Sequence, residues 1–103
     1  MAQPLLESFD KQPGENFPFA VEFSGRLPAG LSLATGTVAA YDNSTGAPAN
    51  SVLNSLTATI VGTQAIARVK AGTDGVTYKI TYTVTLDDGS VLQEDVLMNV
   101  VDR

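Results

Sequence analysis

The sequence contains no cysteine, no histidine and no tryptophan. Without cysteine there is no disulfide to staple the chain and no thiol chemistry, which by itself assigns no redox compartment. Without histidine the commonest general base and the commonest zinc ligand are both missing. Positive charge is scarce. Six Lys and Arg stand against eleven Asp and Glu, for a formal net charge of -5. Such a surface is a poor match for nucleic acid or an anionic membrane. No apolar run approaches the ~20 residues of a membrane-spanning helix. The opening stretch MAQPLLESFD has neither the basic region nor the long apolar run of a signal peptide, so none is expected. Helix is scarce as well, because nowhere does an apolar period of 3.6 run long enough to predict one.

What is present is β patterning. The chain of 103 residues suits one domain, a size at which folding needs neither a metal nor a disulfide. Residues 1–15 are polar, with Pro4, Pro13 and Gly14, and read as an arm. NFPFAVEF then places Phe17, Phe19, Val21 and Phe23 at period 2, the mark of a half-buried strand. Pro18 lies on the other face and lacks an amide donor, so this is an edge strand or a strand start. SGRLPAG is a turn cluster, LSLATGTVAAYDN a strand broken near Gly36, and STGAPANS a loop. LTATIVG and QAIARVK are two short strands separated by Gly62 and Thr63. In the second, Ala65, Ala67 and Val69 face inward while Ile66 faces out.

The C-terminal stretch decides the most. Val76, Tyr78, Ile80, Tyr82, Val84 and Leu86 share one face of a strand, and Thr77, Lys79, Thr81, Thr83 and Thr85 share the other. Two registers can follow through LDDGS. A two-residue turn at Asp88-Gly89 sets Gln93, Asp95 and Asn99 against the apolar face. A three-residue loop, Asp87-Asp88-Gly89, instead pairs Val84 with Leu92, Ile80 with Val96, Tyr78 with Met98 and Val76 with Val100. A one-residue slip flips every side chain, so the second register is predicted, with Gly89 in the left-handed region. Its anomaly is Glu94, which falls opposite Tyr82 on the apolar face, at an open rim or against the Tyr82 hydroxyl. Packing of this hairpin on Phe19, Val21 and Phe23 would form the core.

No chemistry emerges. The Asp-Gly pairs lack the ligand spacing of a calcium loop and read as turns. In GTDG, Asp74 is expected to bond locally. Asn43-Ser44-Thr45 matches a glycosylation triplet that occurs by chance. With no His or Cys, only a Ser-Lys pair could activate a hydroxyl, and the three lysines lie in polar contexts. Glu94 and Asp95 point to opposite faces and cannot share a substrate. The reading is a non-enzyme with no cofactor and no metal.

KQPGENFPFAVEFSGRL followed by VKAGTDGVTYKITYTVTLDDGSVLQEDVLMNVVDR resembles a family of short Ig-like phage virion proteins of the tail or fibre-tail adaptor type. The shared features are Lys11, Pro13 and Glu15; Phe23-Ser24; Gly72, Thr73, Gly75 and Tyr78; and a last strand with Glu94-Asp95 and Val100. The resemblance is weakest over residues 35–51. A local likeness of LPAGLSL to Ig repeats of bacterial surface proteins covers about ten residues.

Together these give a single all-β domain. An antiparallel two-sheet Ig-like β-sandwich over residues 16–103 would carry an extended N-terminal arm over 1–15. The resemblance implies a structural protein of a tailed-phage virion, a fibre-tail adaptor acting by protein-protein contact. A capsid decoration protein and a carbohydrate- or cell-surface-binding Ig-like module are the alternatives. The latter is poorly supplied with aromatic side chains. The implied partners are tail, fibre or capsid subunits and further copies of the chain, not nucleic acid or membrane. Leu5, Leu6 and Phe9, apolar within a polar arm, are the candidate interface residues. The arm would dock on a neighbouring subunit or fold back as an extra edge segment.

Overall fold

The computed structural model describes residues 7–102; Met1–Leu6 and Arg103 lie outside the described residues. Among the described residues seven strands run in chain order: β1 (Glu7–Lys11), β2 (Phe17–Glu22), β3 (Leu33–Asp42), β4 (Thr57–Val61), β5 (Gln64–Val69), β6 (Thr77–Leu86) and β7 (Val91–Val100). Two single 3-10 turns, Ser24–Arg26 and Asn50–Val52, interrupt the loops.

The β6–β7 hairpin has the three-residue register. Val84 pairs with Leu92, Ile80 with Val96 and Tyr78 with Met98. The Leu86 amide donates to the Ser90 carbonyl and the Gly89 amide to that of Leu86, with Gly89 at φ +92. That conformation is cheap only for glycine, which is why the turn reads Asp-Asp-Gly. Asp88 Oδ1 accepts from the Ser90 amide at 2.9 Å and rigidifies the turn.

The all-β class holds, but the two-sheet Ig-like sandwich does not describe the hydrogen-bond ladders. All seven strands join one sheet in the order β1-β7-β6-β3-β4-β5-β2, curled into a half-barrel. The reason lies in β4. Thr57 and Ala58 pair with β3, while Thr59, Ile60 and Val61 pair with β5. One strand thus belongs to both ends of the ladder, and the sheet bends there instead of splitting into two layers. Nor is the pairing wholly antiparallel, since β1 runs parallel to β7. β3 is not broken at Gly36. It continues to Asp42, with its irregularity between Leu33 and Thr35. β2 is an edge strand, as Pro18 requires.

The concave face holds the core: Val21, Phe23, Val38, Ala65, Val69, Tyr78, Ile80, Tyr82, Val84, Val96 and Met98 are buried, with Phe19 and Leu92 packed against them. Val52 and Leu53, from a stretch assigned to no strand, are buried too. Ile66 is half-buried on the convex side. Ile80 is fully buried. Ile80→Ala should therefore cost about 2–5 kcal/mol by lost transfer energy and a residual cavity. Urea unfolding measures this, and a change below about 0.5 kcal/mol, the range of ordinary surface substitutions, would refute the packing.

Candidate interface at the N-terminal edge

The segment expected to stand off as an arm does not do so over residues 7–11. Those residues form β1, with Glu7 opposite Val96 and Lys11 opposite Val100. Leu5 and Leu6 lie outside the described residues. Phe9 is half-buried on its own domain, stacked on Phe19 at 4.0 Å between centroids and edge-on to Phe17 at 6.0 Å. β1 and β2 are opposite ends of the sheet, so these rings mark where its two edges approach. Beneath them Tyr82, from the middle of the sheet, donates its hydroxyl to the Phe19 carbonyl at 2.9 Å. Burial, and the Glu7 carboxylate beside it, push the Tyr82 phenol well above its usual value.

Lys11 ends β1 and is only 1% exposed. Its ammonium donates to the carbonyls of Gln12 at 2.8 Å, Pro13 at 3.3 Å and Ala71 at 2.5 Å. It thereby ties the turn after β1 to the loop before β6. Both sides are shaped to receive it. Glu15 Oε1 accepts from the Gln12 amide and the Glu15 amide donates back to the Gln12 carbonyl, closing the turn. Across from it, Ala71 and Gly72 take positive φ, and a side chain on Gly72 would meet Val100 at 2.8 Å. The Lys-x-Pro-x-Glu and Gly-Thr-x-Gly motifs are thus two halves of one clamp. Burial lowers the Lys11 pKa, and the Glu15 carboxylate offsets part of that. Asp74 bonds at longer range than expected, accepting from the Asp102 amide.

At the other end of β7, Glu94 does not meet the Tyr82 hydroxyl. It lies at the rim, where Arg26 Nη1 pairs with its Oε1 at 3.1 Å and also donates to the Gln93 carbonyl at 2.5 Å. Asp95 faces the other side and accepts from Thr81. The sequence carried a signal for this pair: a carboxylate on an apolar face needs a cation, and Arg26 is one of six in the chain.

Residues 41–46 contribute to a shallow depression of about 250 Å³ lined by Tyr41, Asp42, Asn43, Gly46 and Lys79. A second of similar size is lined by Asp10, Lys11, Gln12 and Glu15. Among the described residues no three His, Cys, Asp or Glu side chains are grouped to hold a metal.

A model of a protein family described as podophage GP4 fiber-tail adaptor protein gp77 matches residues 11–99. The chain belongs to this family. No curated protein and no solved structure matches it. As a fibre-tail adaptor family member it is a structural protein and a component of the phage virion. The match starts at the clamp lysine and runs almost to the end of β7, so it takes in every strand of the adaptor except β1 before Lys11.

Two measurements check this edge. Lys11→Met keeps the aliphatic stem but leaves three carbonyls without their donor. It should cost the adaptor about 1–3 kcal/mol, with the β1 amides exchanging faster. Unchanged exchange in β1 would show that the clamp does not hold the strand. Tyr82 has a folded-state pKa raised above its unfolded value near 10, so its contribution is complete below about pH 10 and lost above it. Tyr82→Phe should remove part of the alkaline loss of stability seen in the parent. Parallel pH profiles for the two proteins above pH 10 would contradict this.

Proposed function

We propose that this chain is a non-catalytic adaptor subunit that joins tail and fibre by protein-protein contact, present in several copies around the tail. The observation that carries the reading is the family match over nearly the whole chain. The architecture is consistent with a small structural subunit: a curled sheet, clamped at one end by Lys11. Contact with neighbours would fall on sheet edges and on the residues before β1. Leu5 and Leu6 keep, on sequence grounds, the role of interface candidates, whereas Phe9 is engaged by Phe17 and Phe19 of its own chain. The capsid-decoration and carbohydrate-binding readings draw no support from the family match.

Electron cryo-microscopy of intact particles carrying a tagged copy tests the proposal. The tag should appear where fibres join the tail, in a copy number that follows the tail's rotational symmetry. Tag density spread over the capsid shell would reject the adaptor reading in favour of decoration.

A further inference from the structure

Lys79 stands in the middle of a row on the convex face. By register it lies between Tyr41 of β3 and Leu97 of β7, and all three are half-buried. The rows on either side are polar and closed within the sheet: Thr77 donates to Asn99 and Thr81 to Asp95, both at 2.8 Å. The Lys79 row is not closed. Its ammonium lies 5.8 Å from the centre of the Tyr41 ring, near enough for the ring to hold it in place. No carboxylate pairs with it, since the one ion pair among the described residues joins Arg26 to Glu94. Asp95, its diagonal neighbour, is engaged by Thr81. Asp42 lines the same depression, but strand alternation assigns its side chain to the side of Val38 and Ala40. Its Oδ1 is taken by the amide and the hydroxyl of Ser44.

The opposite charge stands past the far end of the same strand. Asp87 follows Lys79 by eight residues, about 27 Å along an extended chain. It is exposed, and its backbone is fixed by a bond from its amide to the Ser32 carbonyl at 3.1 Å. Its carboxylate meets only the Ser32 amide, at 3.4 Å, too long to satisfy it. Asp88 beside it adds a second negative charge, held ionised by bonds from Ser90. The chain therefore carries an unpaired cation on β6 and an under-bonded carboxylate in the turn after it, too far apart to meet. They can meet only between molecules. β7 separates β6 from β1, so this surface is apart from the outer edges of the sheet.

We propose that neighbouring copies of this chain join head to tail, the Asp87 carboxylate of one copy on the Lys79 ammonium of the next, with Tyr41 and Leu97 supplying the apolar surface around the pair. An exposed ion pair alone holds little. The ring and the leucine exclude water from it and give the contact its energy. The two surfaces differ, so the contact is heterologous, and its repetition closes a ring when the rotation allows. This deepens the adaptor reading and rests on it, since that reading asks for several copies around the tail.

Carbodiimide coupling of intact particles, which forms an amide between an amine and a carboxylate in direct contact, tests the pairing. A Lys79–Asp87 cross-link should appear in species of two or more copies; the strand length forbids it within one. Lys79→Glu and Asp87→Lys should each keep the thermal midpoint and lower incorporation into particles several-fold. Combined in one chain they should restore it, because the charges are exchanged and not removed. Particles that contain the protein but give no such cross-link overturn the proposal. So does normal incorporation of either folded single variant. A combined variant that stays excluded overturns it too, because Lys79 would then meet an acid of a different subunit. If a reversed variant does not fold, Lys79→Gln and Asp87→Asn take the place of the pair, and unchanged incorporation of either overturns the proposal. Absence of the parent protein from the fibre-tail junction would instead reject the adaptor reading, whether or not the cross-link forms.

Discussion

The register of the β6–β7 hairpin is the constraint on which the rest of the molecule depends. Both strands are ten residues long, and each is flanked by a second neighbour: β3 lies along β6 and β1 along β7. A slip of one residue would turn Gln93, Asp95 and Asn99 into the concave face and expel Leu92, Val96 and Met98. Every later pairing would then rest on a polar surface. Gly89 at φ +92 holds the register from the turn, and the cross-strand pairs hold it along the strands. Turn chemistry and burial pattern agree here, the condition for a single well-defined pairing.

From that hairpin the sheet extends in both directions and must then deal with its two ends. β4 makes the bend by dividing its five residues between β3 and β5. The bend brings β2 back towards β1, and three phenylalanines fill the gap between them. Among the described residues no hydrogen-bond ladder crosses it, and side chains rather than backbone fill the seam. Such a seam holds only if β1 stays in place. Five residues of edge strand bury too little to guarantee that. The Lys11 ammonium adds what is missing, three bonds from the end of β1 to two loops. A buried ammonium is tolerable there because carbonyl oxygens surround it.

Six of the seven strands, the hairpin register and most core residues were legible in the sequence, because period-2 alternation reports directly which side chains are buried; β1 was not, since residues 1–15 read as a polar arm. The arrangement of those strands was not legible. A curled single sheet and a two-layer sandwich ask for the same alternation, and the difference lies in how β4 shares its partners, which no side-chain pattern encodes. Val52 and Leu53 escaped notice because a single 3-10 turn has no period to detect. The edge residues were half legible. Lys11 and Glu15 were visible as a motif, but their purpose depends on Ala71, sixty residues away. Glu94 was visible as a misfit, and its partner Arg26 could be found only once the turn after β2 had been placed.

Misfit residues of this kind mark how each end of β7 is tied to the loops beside it. At the Lys11 end of β7, backbone groups find β1, and the charge is buried and fully bonded. At the Glu94 end the Gln93 carbonyl is met by a side chain from a loop. An exposed edge invites unwanted pairing, and proteins usually blunt it with charge or proline. Pro18 does this on β2, and at the rim of β7 the partly exposed Arg26 sets a cation beside the Gln93 carbonyl. Two cations thus serve the two ends of β7 differently: the Lys11 ammonium is buried and holds two loops together, whereas Arg26 is partly exposed and neutralises a carboxylate at the rim.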